Sequence, residues 1–255
     1  SRLSRALTLR ASYTFSRSID DASAIGTSAS AQQFGLDRTL DRGLSNFHLK
    51  HRVSASFFYT LPAAGSQSGL PGVAAQILGG WRLGGLFSFR TSTPTTARIT
   101  VRRAGYLFTA SRPDLLPGQS NNPTRGTSLG CKNPDGTTFV EPGTPIRGPE
   151  LFYDPCVFRV PEPGTVGNLG RNTILGPSLV NLDVSLQRDF PLGGDRRLQF
   201  RAEIFNVANH TNFRTPTANS MQVFTGNGRF NSGAGLYVNT STTSRQLQFA
   251  LRLSF

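Results

Sequence analysis

Apolar and polar residues alternate with a period of two in six separate stretches, the pattern of strands that show one apolar and one polar face. Leu7, Leu9, Ala11, Tyr13 and Phe15 alternate with Thr8, Arg10, Ser12, Thr14 and Ser16. Val53, Ala55, Phe57, Tyr59 and Leu61 alternate with Arg52, Ser54, Ser56, Phe58 and Thr60, and Trp81, Leu83, Gly85, Phe87 and Phe89 with Arg82, Gly84, Leu86, Ser88 and Arg90. Val180 to Gln187 and Leu198 to Ile204 follow the same rule, with Asp183, Arg201 and Glu203 on the polar side. The last stretch sets Leu247, Phe249, Leu251, Leu253 and Phe255 against Gln248, Ala250, Arg252 and Ser254.

Strands of about 10 residues with one apolar face suit either a soluble sheet wetted on one side or a transmembrane β-barrel. The connections separate the two. Residues 17–51, 91–179 and 205–245 form long connections, while 62–80 and 190–197 are shorter. Every second loop of an up-and-down barrel lies on the same side, and outer-membrane barrels have long outer loops and short periplasmic turns. A compact soluble domain rarely carries loops of this length. Tyr13, Tyr59 and Trp81 near strand ends suit interfacial aromatic girdles. The expected fold is all-β, an antiparallel transmembrane barrel segment of about six long strands with long extracellular loops.

Composition narrows the class. The chain has 255 residues, one large domain or a piece of one, with 37% hydrophobic and only 16% charged residues, below the roughly 25% of ordinary soluble domains. Nineteen phenylalanines exclude a disordered basic tail. No apolar run reaches the roughly 18 residues of a spanning helix, because Leu70 to Phe87 is broken by Pro71, Gln76 and Arg82. The only methionine is Met221, so the expectation is that residues 1–255 are the C-terminal portion of a longer chain.

Several motifs in order carry a family resemblance. Leu151-Phe152-Tyr153-Asp154-Pro155-Cys156 precedes Gly167-Asn168-Leu169-Gly170-Arg171-Asn172, then Gly176-Pro177 and Asn181 to Leu186. Phe200 to Asn206 is followed by Asn209-His210-Thr211-Asn212-Phe213, the chain closes on Arg245 to Phe255, and Asp41 to Ser45 with His51-Arg52 leads into the second strand. This set resembles the C-terminal barrel of TonB-dependent receptors of the Oar-like type. The resemblance implies a parent barrel of about 22 strands, with a plug and TonB box upstream. It also implies that Phe249, Leu251, Leu253 and Phe255 signal to the barrel-assembly machinery at the periplasmic end. Ser1 then falls on the periplasmic side, and 17–51, 91–179 and 205–245 face outward. Six strands are fewer than the eight of the smallest membrane barrels, so the segment by itself is expected to aggregate through unpaired edges.

The candidate chemistry is sparse. Cys131 and Cys156 are the only cysteines, both in the longest outer loop, where an oxidising envelope favours a disulfide. A symmetric hairpin after Phe190 sets Asp183 opposite Glu203 on the polar face. Paired carboxylates suit acid–base work or cation binding, but Arg10, Arg52, Arg82, Arg90, Arg201 and Arg252 share that face, and a lumen ion network is expected. Gly226 to Gly235 lacks a phosphate-loop lysine and reads as a flexible loop tip. No serine occupies a nucleophile elbow.

The net charge of +13 is almost all arginine, since Lys50 and Lys132 are the only lysines. These arginines are distributed over the polar faces of the strands and through the loops, without the runs or aromatic platforms of a nucleic-acid binder. Lipopolysaccharide phosphates and anionic solutes are the expected partners of such charge, beside membrane lipid. The expected function is TonB-dependent uptake of a bulky glycan, peptide or chelate across the bacterial outer membrane, with neither catalysis nor a cofactor. The alternative is a small outer-membrane barrel acting as an adhesin or a barrel-mouth hydrolase.

Overall fold

The computed structural model describes residues 6–22, 33, 37–61, 79–101 and 111–255. The side assigned to Ser1, most of the 62–80 connection and residues 70–78 of the apolar run from Leu70 to Phe87 lie outside the described residues. Six long strands form one antiparallel sheet in chain order: β1 (Leu7–Phe15), β2 (His51–Thr60), β3 (Arg82–Arg90), β4 (Leu179–Gly193), β5 (Arg196–Phe205) and β6 (Gln246–Ser254). Every strand pairs with its sequence neighbour, so the sheet is an up-and-down meander whose outer strands are β1 and β6. No closed barrel is formed by these six strands.

The alternation is realised in the registers. Leu9, Phe57, Gly85, Val184, Ile204 and Leu247 form one row across all six strands, on the apolar face. Gly85 is required in that row by the Phe57 ring, which occupies the space a Cβ would take. β4 runs six residues beyond the expected stretch of 180–187, because Arg188 to Phe190 keep pairing with Phe200 to Leu198. The turn is Gly194-Asp195, and the register shifts between Pro191 and Gly193. Gly193 and Gly194 have φ of 94° and 61°, conformations that favour glycine.

The hydrophobic core does not lie against this sheet. Buried apolar side chains are found at Ala97, Ile99, Phe152, Tyr153, Val157, Phe158, Leu169, Ile174, Met221, Val223, Phe224 and Tyr237, all in the connections after β3 and β5. Among the described residues, no apolar side chain of the six strands is fully buried. Leu247, Phe249 and Leu251 are 60%, 68% and 71% exposed. A soluble half-wet sheet would bury its apolar face against another layer, whereas a barrel turns that face to lipid.

Among the described residues the long connections are folded rather than structureless, and these parts together form a cap at one end of the sheet. Pro94–Thr95 pairs with Ile174–Leu175, and Arg98–Ile99 pairs in parallel with Gln222–Phe224. The glycine-rich stretch is likewise no flexible tip. Asn231 donates to Asn219 O at 2.9 Å, Gly235 N to Ser220 O at 3.0 Å, and Phe152 N to Gly235 O at 2.8 Å, which buries Gly233, Ala234 and Gly235. Small residues serve there because backbone packs on backbone.

Candidate functional site

The polar face gathers all eight charged residues expected to line the lumen. Thr14, Arg52 and Arg90 stand in one row nearest the cap, and Arg10, Ser56, Leu86 and Asp183 in a row further in. Toward the short-turn end follow Ser185, Glu203 and Gln248, then Arg82, Gln187 and Arg201, then Asp189, Gln199 and Arg252.

Charge pairing on this face is one-sided. Arg82 binds Asp189, which also accepts from Gln199 Nε2 at 2.8 Å, and Arg201 binds Glu203. Among the described residues Arg10, Arg52, Arg90 and Arg252 form no ion pair, so the expected network covers only part of the face. Asp183 and Glu203 are not opposite each other either. With the turn at Gly194-Asp195, Ser185 stands against Glu203, and Asp183 lies two residues away. Its Oδ1 accepts from Asn181 Nδ2 at 2.9 Å and Asn206 N at 2.8 Å. The two carboxylates are thus separately engaged within strands, with no shared cleft.

The cap supplies the second surface. Cys131 and Cys156 form a disulfide across a sequence separation of 25. Beside it, buried Asp154 accepts from Ser128 Oγ at 2.7 Å, Leu129 N at 2.9 Å and Cys156 N at 3.0 Å, which fixes the chain around the bridge. Tyr153 donates its hydroxyl to Ser220 O at 2.7 Å, and burial pushes the phenols of Tyr153 and Tyr237 well above the ordinary range. At the rim, a side-chain hydrogen bond from Thr137 and a second from Arg229 hold the Asp135 carboxyl down at about 2.

The connections after β1 and β3 meet at ion pairs and amides, and the one after β5 joins them at a cleft. Arg112 binds Asp41 at 2.7 Å, both nearly fully buried, and donates to Leu40 O at 2.7 Å. Arg171 binds Asp20 and donates to Asp41 O at 2.6 Å, while Asn172 Nδ2 donates to Leu44 O at 2.6 Å. A cleft of about 420 Å³ opens where these connections converge, lined by Asn46, Thr95, Thr96, Arg98 and Thr217 among others. Desolvation lowers the Arg98 pKa there. Among the described residues no three His, Cys, Asp or Glu side chains gather as a metal site requires.

Some residues escaped the sequence pattern. Arg188 interrupts the apolar face of β4 and lies buried, its guanidinium 4.8 Å from the Phe190 ring centre and 5.7 Å from that of Trp81. Its signal was the break in alternation between Leu186 and Phe190. The Arg112–Asp41 pair had no local signal, since 71 residues separate its members. Phe249, Leu251 and Leu253 fall on the apolar face of β6, and Phe255 follows that strand almost fully exposed.

A family model described as an outer membrane beta barrel domain matches residues 1–248. No curated protein and no solved structure matches the chain. The strand pattern, the exposed apolar face and the core confined to the loops agree with that match. The chain belongs to the outer membrane β-barrel domain family and is a protein of the bacterial outer membrane.

Proposed function

We propose that the chain is part of a TonB-dependent receptor of the Oar-like type, which takes up a bulky solute through a barrel completed by strands beyond these six. The observation that carries this reading is a charged, hydroxyl-bearing inner face beneath a folded cap, on a sheet too narrow to close. Barrels of fewer than eight strands are unknown in membranes, and hydrocarbon does not tolerate unpaired edges. At least two further strands are therefore required, and a parent of about 22 strands, as the resemblance implies, is wide enough to be a plugged transporter.

In this reading the cap meets the solute outside the cell, lumen arginines line its path, and TonB acts through a plug. Membrane lipid and lipopolysaccharide contact the apolar face and rim, and the barrel-assembly machinery reads the β6 terminus. The chain itself performs no catalysis. Asp183 and Glu203 support this, since each is held inside a strand by its neighbours rather than at a rim cleft.

The test is conductance of the protein purified from native outer membranes into a planar bilayer. A plugged transporter stays closed until mild denaturant releases the plug, and photo-crosslinking in energised cells yields a TonB adduct. Steady conductance without denaturant, with no adduct, overturns the proposal in favour of a pore or adhesin.

A further inference from the structure

The registers set three rows of polar groups on the inner face below the cap. Nearest the cap stand Thr14, Arg52 and Arg90, next come Ser12, Ser54, Ser88 and Asn181, and then Arg10, Ser56, Leu86 and Asp183. Over the second and third rows lies a groove of about 410 Å³, lined by four serines and the exposed Leu86, with Arg10 at one side and Asp183 at the other. Arg52 and Arg90 are directly opposite across β2 and β3. Side chains so placed have Cβ atoms about 5 Å apart, and like charges there repel. Among the described residues neither arginine forms an ion pair or side-chain hydrogen bond, whereas Arg82 and Arg201 nearer the short turns are matched by Asp189 and Glu203. The positive charge near the cap is therefore uncompensated on this face.

We propose that Arg52 and Arg90 clamp the anionic group of a hydroxyl-bearing solute, whose body lies along the serine groove beneath them. This rests on the reading of the polar face as a solute path. Guanidinium forks donate paired hydrogen bonds to carboxylate or phosphate, and an anion between two of them turns their repulsion into attraction. Serine hydroxyls both donate and accept, so they match the hydroxyls of a sugar acid or sugar phosphate. Asp183 offers an acceptor at the far side. From the clamp to the Arg10 row is four residues along a strand, about 13 Å, which sets the length of the ligand the groove holds.

An arginine-selective dicarbonyl reagent tests the clamp on the full-length protein in de-energised outer membranes, with adducts located by peptide mass. Gluconate is expected to slow modification of Arg52 and Arg90 several-fold, with Arg252 unchanged, while glucose or chloride at matched ionic strength gives no protection. Inorganic phosphate in place of gluconate separates a bare anion site from one that also uses the groove. Equal protection by phosphate overturns the hydroxylated ligand. Equal protection by chloride shows screening alone and overturns the clamp, as does lack of reaction at both arginines in every condition, which means that a protein segment covers them. In Arg52→Lys the charge remains and the fork is lost, so protection of Arg90 by gluconate should fall. Protection without energised uptake would overturn the transporter and leave the clamp standing.

Discussion

Arg112 and Asp41 are the most deeply buried ion pair described, with side-chain exposures of 5% and 1%. Desolvation pulls the Arg112 pKa down, against the hydrogen bond and charge of Asp41, which hold the proton on. Removing one partner strands the other charge in a dry site, at a typical cost of about 3–5 kcal/mol. Asp41→Asn should therefore loosen the cap by that order, read as protease cleavage of outer loops at lower urea. A change below about 1 kcal/mol, the level of a surface pair, would show that water reaches the pair. Gly167 is similarly constrained, because a Cβ there would run into the carbonyl of Arg112. His48 gives a pH handle. Its Nδ1 accepts from Ser18 N at 3.2 Å, and burial, then Arg17 and Lys50, lower its pKa. The neutral form is thus favoured by folding, so its contribution is complete above the ordinary histidine pKa of about 6.5. It is lost as pH falls from there through the lowered folded value. Proteolysis of the 16–50 connection in intact cells should accelerate over that window, and His48→Gln should flatten the response.

At the scale of the element, β6 offers the clearest check of the two faces. With Phe249→Cys and Leu251→Cys, a lipid-soluble maleimide should react and a water-soluble one should not; Gln248→Cys and Arg252→Cys should behave oppositely. Equal labelling of both sets would return β6 to a soluble sheet. Gly85→Val on β3 should reduce assembly of the folded barrel, and pairing it with Phe57→Ala should restore part of it, since the Phe57 ring fills the missing Cβ space. The six strands were legible because a half-exposed strand writes its faces as a period of two. The cap was not. Its strands are mostly two or three residues long and are held by distant side chains, as when Asn172 Nδ2 donates to Leu44 O in the strand Gly43–Leu44, 128 residues away. No local period encodes such contacts. The Asp183–Glu203 pairing failed for a smaller reason: the symmetric hairpin it needs is centred on Gly193, and the turn falls at Gly194-Asp195, which leaves the strands two residues out of that register.

At the scale of the whole molecule, the protein is divided between two solvents. The sheet keeps its apolar residues on the outside, and the cap keeps its own on the inside, so loss of lipid should melt the former before the latter. The Cys131–Cys156 bond closes a loop whose entropy is worth about 3 kcal/mol in a chain-entropy account. Cys131→Ser with Cys156→Ser should lower cap stability by that order while β6 labelling stays unchanged. The placement of that bond has a bearing on biogenesis. Both cysteines belong to the single connection between β3 and β4, whereas the links from that connection to its neighbours, Arg112 to Asp41 and Tyr153 to Ser220, are non-covalent. Oxidation before export would therefore stitch only the β3–β4 hairpin, and only to itself. No covalent bond then ties that hairpin to its neighbours, so the joints between connections rest on ion pairs, hydrogen bonds and packing alone.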